Sequence, residues 1–396
     1  MKHTILRPLM KTTLLILVTI ITMGVLNAFT TIRNFSYSPT TYNGSCHPVS
    51  NQLHFDSSKS NVFIVADSKL TELFDMLAPF YLFNLTNKAN VYIVAMDKTP
   101  ILIRKDLYVL PQITFKEADS LKLKADVIII PALSIRDEHQ DIRLIDWIKA
   151  HARPETKMLA ICDGASTAAA TGLYDGKYLT CHASDYDEVK SHFKKPDWIQ
   201  NVNVTKSGNL FSTAGVSNAV EGSLTIINEL FGEETTWAAI SDIHYPEPGI
   251  RTFHQSTSID LNDKWTIAKK VMFKQNKNIG ILLEDGMNEF KMISILETYA
   301  RTFPKSFKAI YLNDSIVQSK YGLTFIATGS NSMKNLDELH IPGSAPDKEL
   351  HLRKHSNTTI ITYTESKYPI DVCLERISLQ YGNKFENVVR LLLDYN

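Results

Sequence analysis

The sequence predicts an α/β protein in which helices cover both faces of a parallel β-sheet. Two observations predict this fold class. Strand-like and helix-like segments alternate from residue 61 to near residue 250. One strand-like run, ADVIIIPAL at 125–133, is almost continuously apolar, as expected for a strand that is covered on both faces. With 396 residues, the chain is also long enough for two domains with separate cores.

Each element of the first domain follows from its local pattern. Short β-rich runs predict strands, and apolar residues at helical spacing predict helices. A Ser207–Gly208 pair between two such runs predicts the turn of a hairpin. In chain order, the predicted elements are strand 61–66, helix 70–83, strand 90–95, strand 125–133, a helix around IRLIDWIKAHA, the strand KMLAIC, a hairpin at 202–215 and a closing helix at 217–232.

The C-terminal part of the sequence repeats segments of this first domain. Residues 278–300 echo residues 61–83 with a one-residue shift, and residues 361–382 match residues 211–232 without a gap. From Asp75 to Gly232 the first domain spans 157 positions. The corresponding stretch of the second copy, from Lys291 to Gly382, spans 91 positions and is therefore 66 positions shorter. The missing part includes the region around Cys162. We therefore predict a smaller, degenerate copy of the same fold that serves packing or dimer contacts.

The N-terminus predicts a membrane segment. Residues 12–32 carry no charge and follow Lys2, Arg7 and Lys11, which favours an uncleaved anchor with the remainder of the chain outside the cytoplasm. A cleaved signal peptide that releases a secreted protein is the alternative. The predicted layout is an anchor or signal at 1–33, a linker at 34–59, the first domain at 60–250, a second linker at 251–277 and the truncated copy at 278–396.

Charge and cysteine content exclude several kinds of partner. The 42 basic and 42 acidic residues give a formal net charge of zero, which argues against a nucleic-acid-binding surface. The four cysteines, at positions 46, 162, 181 and 373, show no metal-binding spacing. We therefore expect neither a metal ion nor a cofactor, and no nucleic-acid partner.

Cys162 is the main candidate for chemistry. It follows the predicted strand KMLAIC and precedes small residues, in the pattern Ala160-x-Cys162-x-Gly164. Small residues on either side permit a sharp strand-to-helix elbow from which the sulfur projects, and a helix N-terminus there favours the thiolate. The alternative is a buried, inert cysteine, which is a common fate of this residue type. The pattern alone leaves both open.

The region around Cys162 resembles the ThiJ/PfpI superfamily, nearest to the domain of AraC-type regulators and isocyanide hydratases. This resemblance implies the flavodoxin-like, class I glutamine amidotransferase-like fold over about residues 60–250. It also implies that Cys162 is the reactive residue and that Asp75, four residues before Pro79, is the acid beside it. The segments that carry the resemblance are FDMLAPFYLF, ADVIIIPAL, LAICDGASTAAATGLYDGKYLTCHASDYDEV and STAGVSNAVEGSLTIINELFGEE.

Four positions depart from or extend the family pattern. Ala132 and Leu133 follow Pro131 where relatives have Pro-Gly-Gly, whose backbone amides can bind an oxyanion. Asp163 follows the cysteine, and a carboxylate there raises the pKa of the thiol. His182 matches a histidine of the relatives, and we interpret it as a structural residue at the pocket rim. The resemblance therefore does not predict glutaminase or peptidase activity.

Two functions remain open from the sequence. In the first, Cys162 is the nucleophile, Asp75 the general acid and base, and backbone amides near Gly164 and Ala132 the anion donors of a site that acts on or senses a small electrophile, with hydratase- or hydrolase-like chemistry. In the second, the domain is a non-catalytic ligand-binding or scaffold module. The expected partners are a small molecule, the membrane through the N-terminal helix, and a second copy of the chain. DNA binding is not expected, because the helix-turn-helix units of the regulators have no counterpart here.

Overall fold

The computed structural model describes residues 42–44, 55–274, 276–312, 314–329, 332–343, 358–364 and 366–395. The strands are β1 Ser60–Val65, β2 Ala89–Ala95, β3 Ile101–Arg104, β4 Leu107–Val109, β5 Ile113–Thr114, β6 Val127–Ile130, β7 Lys157–Ile161, β8 Tyr178–Leu179, β9 Asp197–Trp198, β10 Val204–Ser207, β11 Leu210–Thr213, β12 Asn278–Leu283, β13 Ser306–Tyr311, β14 Ile316–Gln318, β15 Thr324–Ala327, β16 Glu338–Ile341 and β17 Thr359–Thr362. The helices are α1 Leu73–Leu85, α2 Phe115–Ser120, α3 Ile142–His151, α4 Gly164–Ala170, α5 Tyr186–His192, α6 Ala219–Phe231, α7 Glu233–Asp242, α8 Leu261–Phe273, α9 Glu289–Ala300, α10 Pro369–Tyr381 and α11 Asn383–Leu393, with a 3₁₀ turn at Val216–Asn218.

The N-terminal unit, residues 55–250, is built on a seven-stranded sheet in the order β10-β11-β7-β6-β1-β2-β5. Neighbouring strands are parallel, except for the β10–β11 hairpin. Alternate residues of β1 face two different cores, with Val62 and Ile64 on the side of α1 and α6, and Phe63 and Val65 on the side of α3 and α4. The predicted α/β class, with a parallel sheet between helices, is confirmed.

The C-terminal unit, residues 278–395, contains a smaller parallel sheet in the order β13-β12-β16-β17. Its last two helices repeat the geometry of α6 and α7. Gly232 joins α6 to α7 with φ 85° and ψ 174°, and Gly382 joins α10 to α11 with φ 90° and ψ 157°. Both glycines adopt a left-handed backbone that side chains disfavour. The helices before these glycines, α6 and α10, have the same length and coincide when residues 211–232 are matched to residues 361–382.

The two units differ at the strand that carries the cysteine elbow. In the N-terminal unit, β6 pairs with β7, and Cys162 follows β7 directly. In the C-terminal unit, β16 pairs with β17, and the sequence match relates β17 to β11 rather than to β7. Within the described residues, the smaller sheet therefore has no counterpart of β7 and no elbow cysteine.

The units are joined by a shared sheet and a shared core. The β3–β4 hairpin and the β14–β15 hairpin form one antiparallel sheet, in which β4 pairs with β15. The helices α1 and α9 pack on one another, with Phe74 and Tyr81 against Phe290 at ring separations of 5.9 and 5.6 Å. One hydrophobic cluster runs through both units. The α1 helix, which carries Asp75, is thus buried between its own sheet and the C-terminal unit.

The prediction of a single-pass membrane protein requires correction. Across the ranges that the structure describes, none of the helices combines the length and the apolar character needed to span a bilayer, which contradicts that localisation. The segment on which the prediction was based, residues 12–32, lies outside the described residues, as does Cys46.

Candidate functional site

Cys162 occupies a sharp turn between a strand and a helix. The strand β7 ends at Ile161, Cys162 has a left-handed backbone with φ 54°, and α4 begins at Gly164. A Cβ atom at position 164 would lie 2.0 Å from the carbonyl oxygen of Ile130, so only glycine fits at this point of the turn. The left-handed cysteine and the tight glycine are the features expected of an elbow.

The Cys162 thiol is buried and neutral at ordinary pH. The residue is 4% exposed. Burial raises the pKa of the thiol well above its usual value, and the carboxyl groups of Asp75 and Asp163 raise it further. The direction of this shift is opposite to the thiolate that the helix N-terminus was expected to favour. A reaction at Cys162 therefore needs a base to take the thiol proton.

Asp75 lies in the first turn of α1 and is fully buried. Its Oδ2 atom accepts a hydrogen bond from the amide of Ala132 at 3.1 Å, and its Oδ1 atom has no hydrogen-bond partner among the described residues. Burial raises the pKa of Asp75 to about 7, an effect that the Ala132 amide partly offsets and that Asp163 and Glu297 strengthen. With this pKa, Asp75 can exchange its proton near neutral pH.

The loop after β6 is attached to the start of α1. The Glu72 amide donates to the carbonyl of Ala132 at 2.9 Å, and Thr71 and Leu133 form an isolated β-bridge. Leu133 is buried in the core that α3 and α4 cover. Because the Ala132 amide already donates to Asp75, its predicted role as an anion donor requires that this bond be given up. That role and the one predicted for Gly164 stay predictions.

Asp163 points to a second cluster of charges beside the elbow. Its Oδ2 atom lies 2.5 Å from Nη1 of Arg136, which also reaches Asp185 at 3.5 Å. Burial, followed by Asp185, raises the pKa of Asp163 to about 6, and the Arg136 guanidinium opposes this rise. The Arg136 side chain is 47% exposed, so this cluster extends from the buried elbow to solvent.

His182 lies on the same side as this cluster and does not bond to Cys162. Its Nδ1 atom accepts a hydrogen bond from the amide of Ser184 at 3.1 Å and lies 3.8 Å from Asp185. These contacts fit the structural interpretation of His182. Cys181 is also buried and unpaired, as are Cys162 and Cys373.

Sequence reasoning missed three charged residues near the site: Arg136, Glu72 and Glu297. Arg136 lies in the loop that follows β6, 26 positions before Cys162, where no motif marks it. Glu72 precedes the helix that carries Asp75, and its Oε2 atom accepts the Asp75 amide proton at 2.7 Å. In the sequence, Glu72 could have been noticed only as the N-cap of the following helix, and glutamate is not among the residues that N-cap positions favour. Glu297 comes from the C-terminal unit.

Comparison with known proteins identifies the N-terminal unit. The model of the DJ-1/PfpI family matches residues 59–229. The isonitrile hydratase of Pseudomonas putida is 26% identical over 176 residues, which cover 44% of this chain and 74% of that protein. The Parkinson disease protein 7 homolog of Danio rerio is 24% identical over 141 residues, covering 35% of this chain and 72% of that protein.

Solved structures also match about half of the chain. The crystal structure of Drosophila melanogaster DJ-1beta has a TM-score of 0.42 and 22% identity, covering 47% of this chain and 97% of that one. An AraC family transcriptional regulator from Pseudomonas putida has a TM-score of 0.38 and 15% identity, covering 46% of this chain and 97% of that one.

Proposed function

Because residues 59–229 form a DJ-1/PfpI family domain, as the predicted resemblance indicates, we propose that Cys162 and Asp75 add water to a small electrophile. The observation that supports this most directly is the buried Asp75 carboxyl, which raises the thiol pKa of Cys162 and exchanges its own proton near pH 7. An acid poised near the working pH suits general acid–base catalysis. The likeness to an isonitrile hydratase suggests the class of electrophile.

For an isonitrile, the proposed reaction proceeds in two additions. The Asp75 carboxylate takes the thiol proton as the Cys162 sulfur bonds to the isonitrile carbon, and the protonated Asp75 then delivers that proton to the same carbon. The product is a thioimidate bound to the enzyme. Water adds to this carbon, its protons pass to the nitrogen and, through Asp75, back to the departing sulfur. The net reaction joins one isonitrile and one water to give one formamide and regenerates the thiol.

Turnover of an alkyl isonitrile to its formamide, followed by proton NMR, tests the proposal. We expect activity in the wild-type protein, none in Cys162→Ser, and a loss of about 10²- to 10⁴-fold in Asp75→Asn. Cys181→Ser is the matched control, because Cys181 is also buried but lies off the elbow. Wild-type activity no greater than that of Cys162→Ser would contradict the proposal.

A non-catalytic ligand-binding module is the second candidate, and two observations favour it. The thiol is buried in its neutral form, and the Ala132 amide is already bonded to Asp75. For such a module, calorimetry would detect the binding of a small electrophile with equal affinity in the wild type and Cys162→Ser, with no product formed.

A further inference from the structure

A cavity of about 770 Å³ lies between α8 and the junction of α10 with α11. This volume falls in the range of sites that hold small molecules. The cavity is separate from the site around Cys162, none of whose described residues line it, and α8 lies beyond residues 59–229, which the family model matches. Neither the family nor the proposed function therefore accounts for it.

Aromatic side chains line this cavity. Trp265 and Phe273 on α8 are 55% and 71% exposed, whereas Tyr381 is half-buried and Phe385 is buried. Single exposed apolar side chains are common on protein surfaces, but two exposed rings that line one cavity form a surface that another ring can cover. The shape and composition of the cavity therefore favour a ligand with a flat apolar part.

Lysines accompany these rings. Four of the twelve lining residues are lysines, and the only acid among them is Asp263. Asp263 is engaged at the start of α8, where its Oδ2 atom accepts the amide proton of Asp260 at 3.1 Å. The chain as a whole has as many acidic as basic residues, so this excess of positive charge is local. Charge complementarity therefore favours an anion in the cavity.

Lys270 is the buried member of the four and is 4% exposed. Its ammonium group donates to the side-chain oxygen of Asn276 at 2.9 Å, to the carbonyl of Phe303 at 3.3 Å and to the carbonyl of Thr302. These partners are neutral, and Lys270 forms no ion pair with a described residue. Burial, followed by the charge of Lys277, lowers the pKa of Lys270 to about 7. A buried charge without a counter-ion is costly, and an anion in the cavity reduces that cost.

The other three lysines are exposed and available. Lys269, Lys274 and Lys384 form no ion pair or hydrogen bond within the part of the chain that the structure describes. The Nζ atom of Lys269 lies 5.2 Å from the centre of the Trp265 ring, so one positive charge already lies next to an exposed aromatic face. Lysine ammonium groups bind phosphate as point charges.

We propose that this cavity binds an aromatic phosphate monoester, with its ring against Trp265 and Phe273 and its phosphate at Lys269, Lys274 and Lys384. A phosphate monoester carries nearly two negative charges at neutral pH, so it matches several lysines better than a carboxylate does. Lys270, whose three donors are already used, acts on the phosphate through its charge alone. This inference does not depend on the chemistry proposed for Cys162.

Calorimetric titration of the full chain with 2-naphthyl phosphate tests the proposal. We expect saturable binding at one site. Binding should be weaker by about tenfold or more for 2-naphthol, which lacks the phosphate, and for inorganic phosphate, which lacks the ring. Added salt should weaken the binding of 2-naphthyl phosphate, because the rim lysines act from exposed positions.

Two variants separate the ring contact from the charge. Trp265→Ala should weaken the binding of 2-naphthyl phosphate by about fivefold or more, because it removes a stacking surface. The double variant Lys269→Gln/Lys384→Gln should weaken it by about tenfold, because it removes two exposed charges from the rim.

The matched control is Lys190→Gln, which should leave the affinity unchanged. Lys190 is an exposed lysine of α5 outside the cavity, and its Nζ atom lies 5.5 Å from the centre of the Tyr186 ring, four positions earlier, as Lys269 does over Trp265. If the lysine variant does not fold, the three titrations of the wild type decide the question, because they compare ligands rather than proteins.

Equal affinity for 2-naphthol and 2-naphthyl phosphate, or absence of saturable binding of the phosphate, would overturn the proposal. So would an affinity that neither variant changes, since the phosphate would then bind elsewhere on the chain. Sedimentation with phosphatidylglycerol vesicles, or dimerisation that Trp265→Ala abolishes, without binding of 2-naphthyl phosphate, would assign the cavity to a different occupant and likewise refute it.

Discussion

At the scale of single residues, the groups around Cys162 are acidic. A cysteine that is activated as a thiolate has cationic neighbours instead, because they lower the pKa of its thiol. The pKa of the Cys162 thiol is raised first by burial and then by Asp75 and Asp163. The guanidinium group of Arg136 forms its ion pair with Asp163. The thiol is thus kept neutral until a base acts on it, and the proposed function assigns that role to Asp75, whose pKa is about 7.

Asp163→Asn should make Cys162 more reactive, because it removes one carboxylate that raises the thiol pKa and leaves Arg136 with Asp185 as its remaining acidic partner among the described residues. At a fixed pH of 8, the alkylation rate by iodoacetamide should rise by about tenfold for each unit by which the pKa falls. Peptide mapping by mass spectrometry measures the rate at Cys162 separately from the other cysteines. Equal rates in both folded proteins would contradict this prediction, while rates in urea should agree and serve as the control.

Asp75→Asn should stabilise the protein at pH 8 and not at pH 4. The folded pKa of about 7 lies above the unfolded value of about 3.9, so the stability that the protonated carboxyl contributes is complete below pH 4 and is lost as the pH rises through 7. Asparagine cannot ionise, and its oxygen can still accept the Ala132 amide proton. Urea midpoints at both pH values test this, with Asp146→Asn, on the exposed face of α3, as the control. A stability difference between Asp75→Asn and the wild type that does not change with pH would count against it.

At the scale of elements, the elbow depends on how closely the β6 loop approaches the start of α4. The carbonyl oxygens of Ile130 and Pro131 fill the space that a side chain at position 164 would need. The same loop bonds to Asp75 and Glu72 through Ala132. The loop after β6 therefore constrains Cys162, through its contact with Gly164, and Asp75, through its bond from Ala132.

Gly164→Ala should destabilise the protein by about 1–3 kcal/mol, because its Cβ would meet backbone atoms that cannot move alone. Urea denaturation provides the measurement. Gly249→Ala is the control, since open space surrounds that position, and a change within about 0.5 kcal/mol is expected there. Equal stability of the two variants would show that the loop adapts.

The regular elements could be predicted from the sequence because they have local causes. The predicted strand 61–66 is β1, Ser60–Val65, and the predicted helix 70–83 is α1, Leu73–Leu85. The helix begins later than its apolar spacing indicated, because Glu72 caps it. The hairpins that join the units at β4 and β15 were missed, since that pairing links residues more than 200 positions apart. Glu297 was missed for the same reason, as no local pattern relates it to Asp75.

At the scale of the whole molecule, the two units share one core rather than meeting at a polar boundary. Phe74 and Tyr81 of α1 pack on Phe290, and Tyr81 receives hydrogen bonds from Asn288 and Lys320. Removing the C-terminal unit would expose this face of α1 together with an unpaired edge at β4. Contiguous apolar surface of this kind leads to association.

A chain that ends at residue 277 should therefore be insoluble, or should bind the dye ANS and unfold without cooperativity. The full-length chain, purified in parallel, should bind little dye and unfold cooperatively. Sedimentation and dye fluorescence make the comparison. A shortened chain that is soluble, monomeric and cooperative would show that the N-terminal unit is self-sufficient.

The position of β17 beside β16 has a consequence for how such a molecule can arise. A duplicated gene that loses one entire strand together with its connections keeps parallel pairing and handedness, because the excised piece is a complete structural module. The place of the lost strand, next to β16, is then taken by β17, the counterpart of β11. A molecule that arises in this way keeps, in its shorter copy, the helix α9 that packs on α1, so residues on the two sides of that contact must afterwards change together.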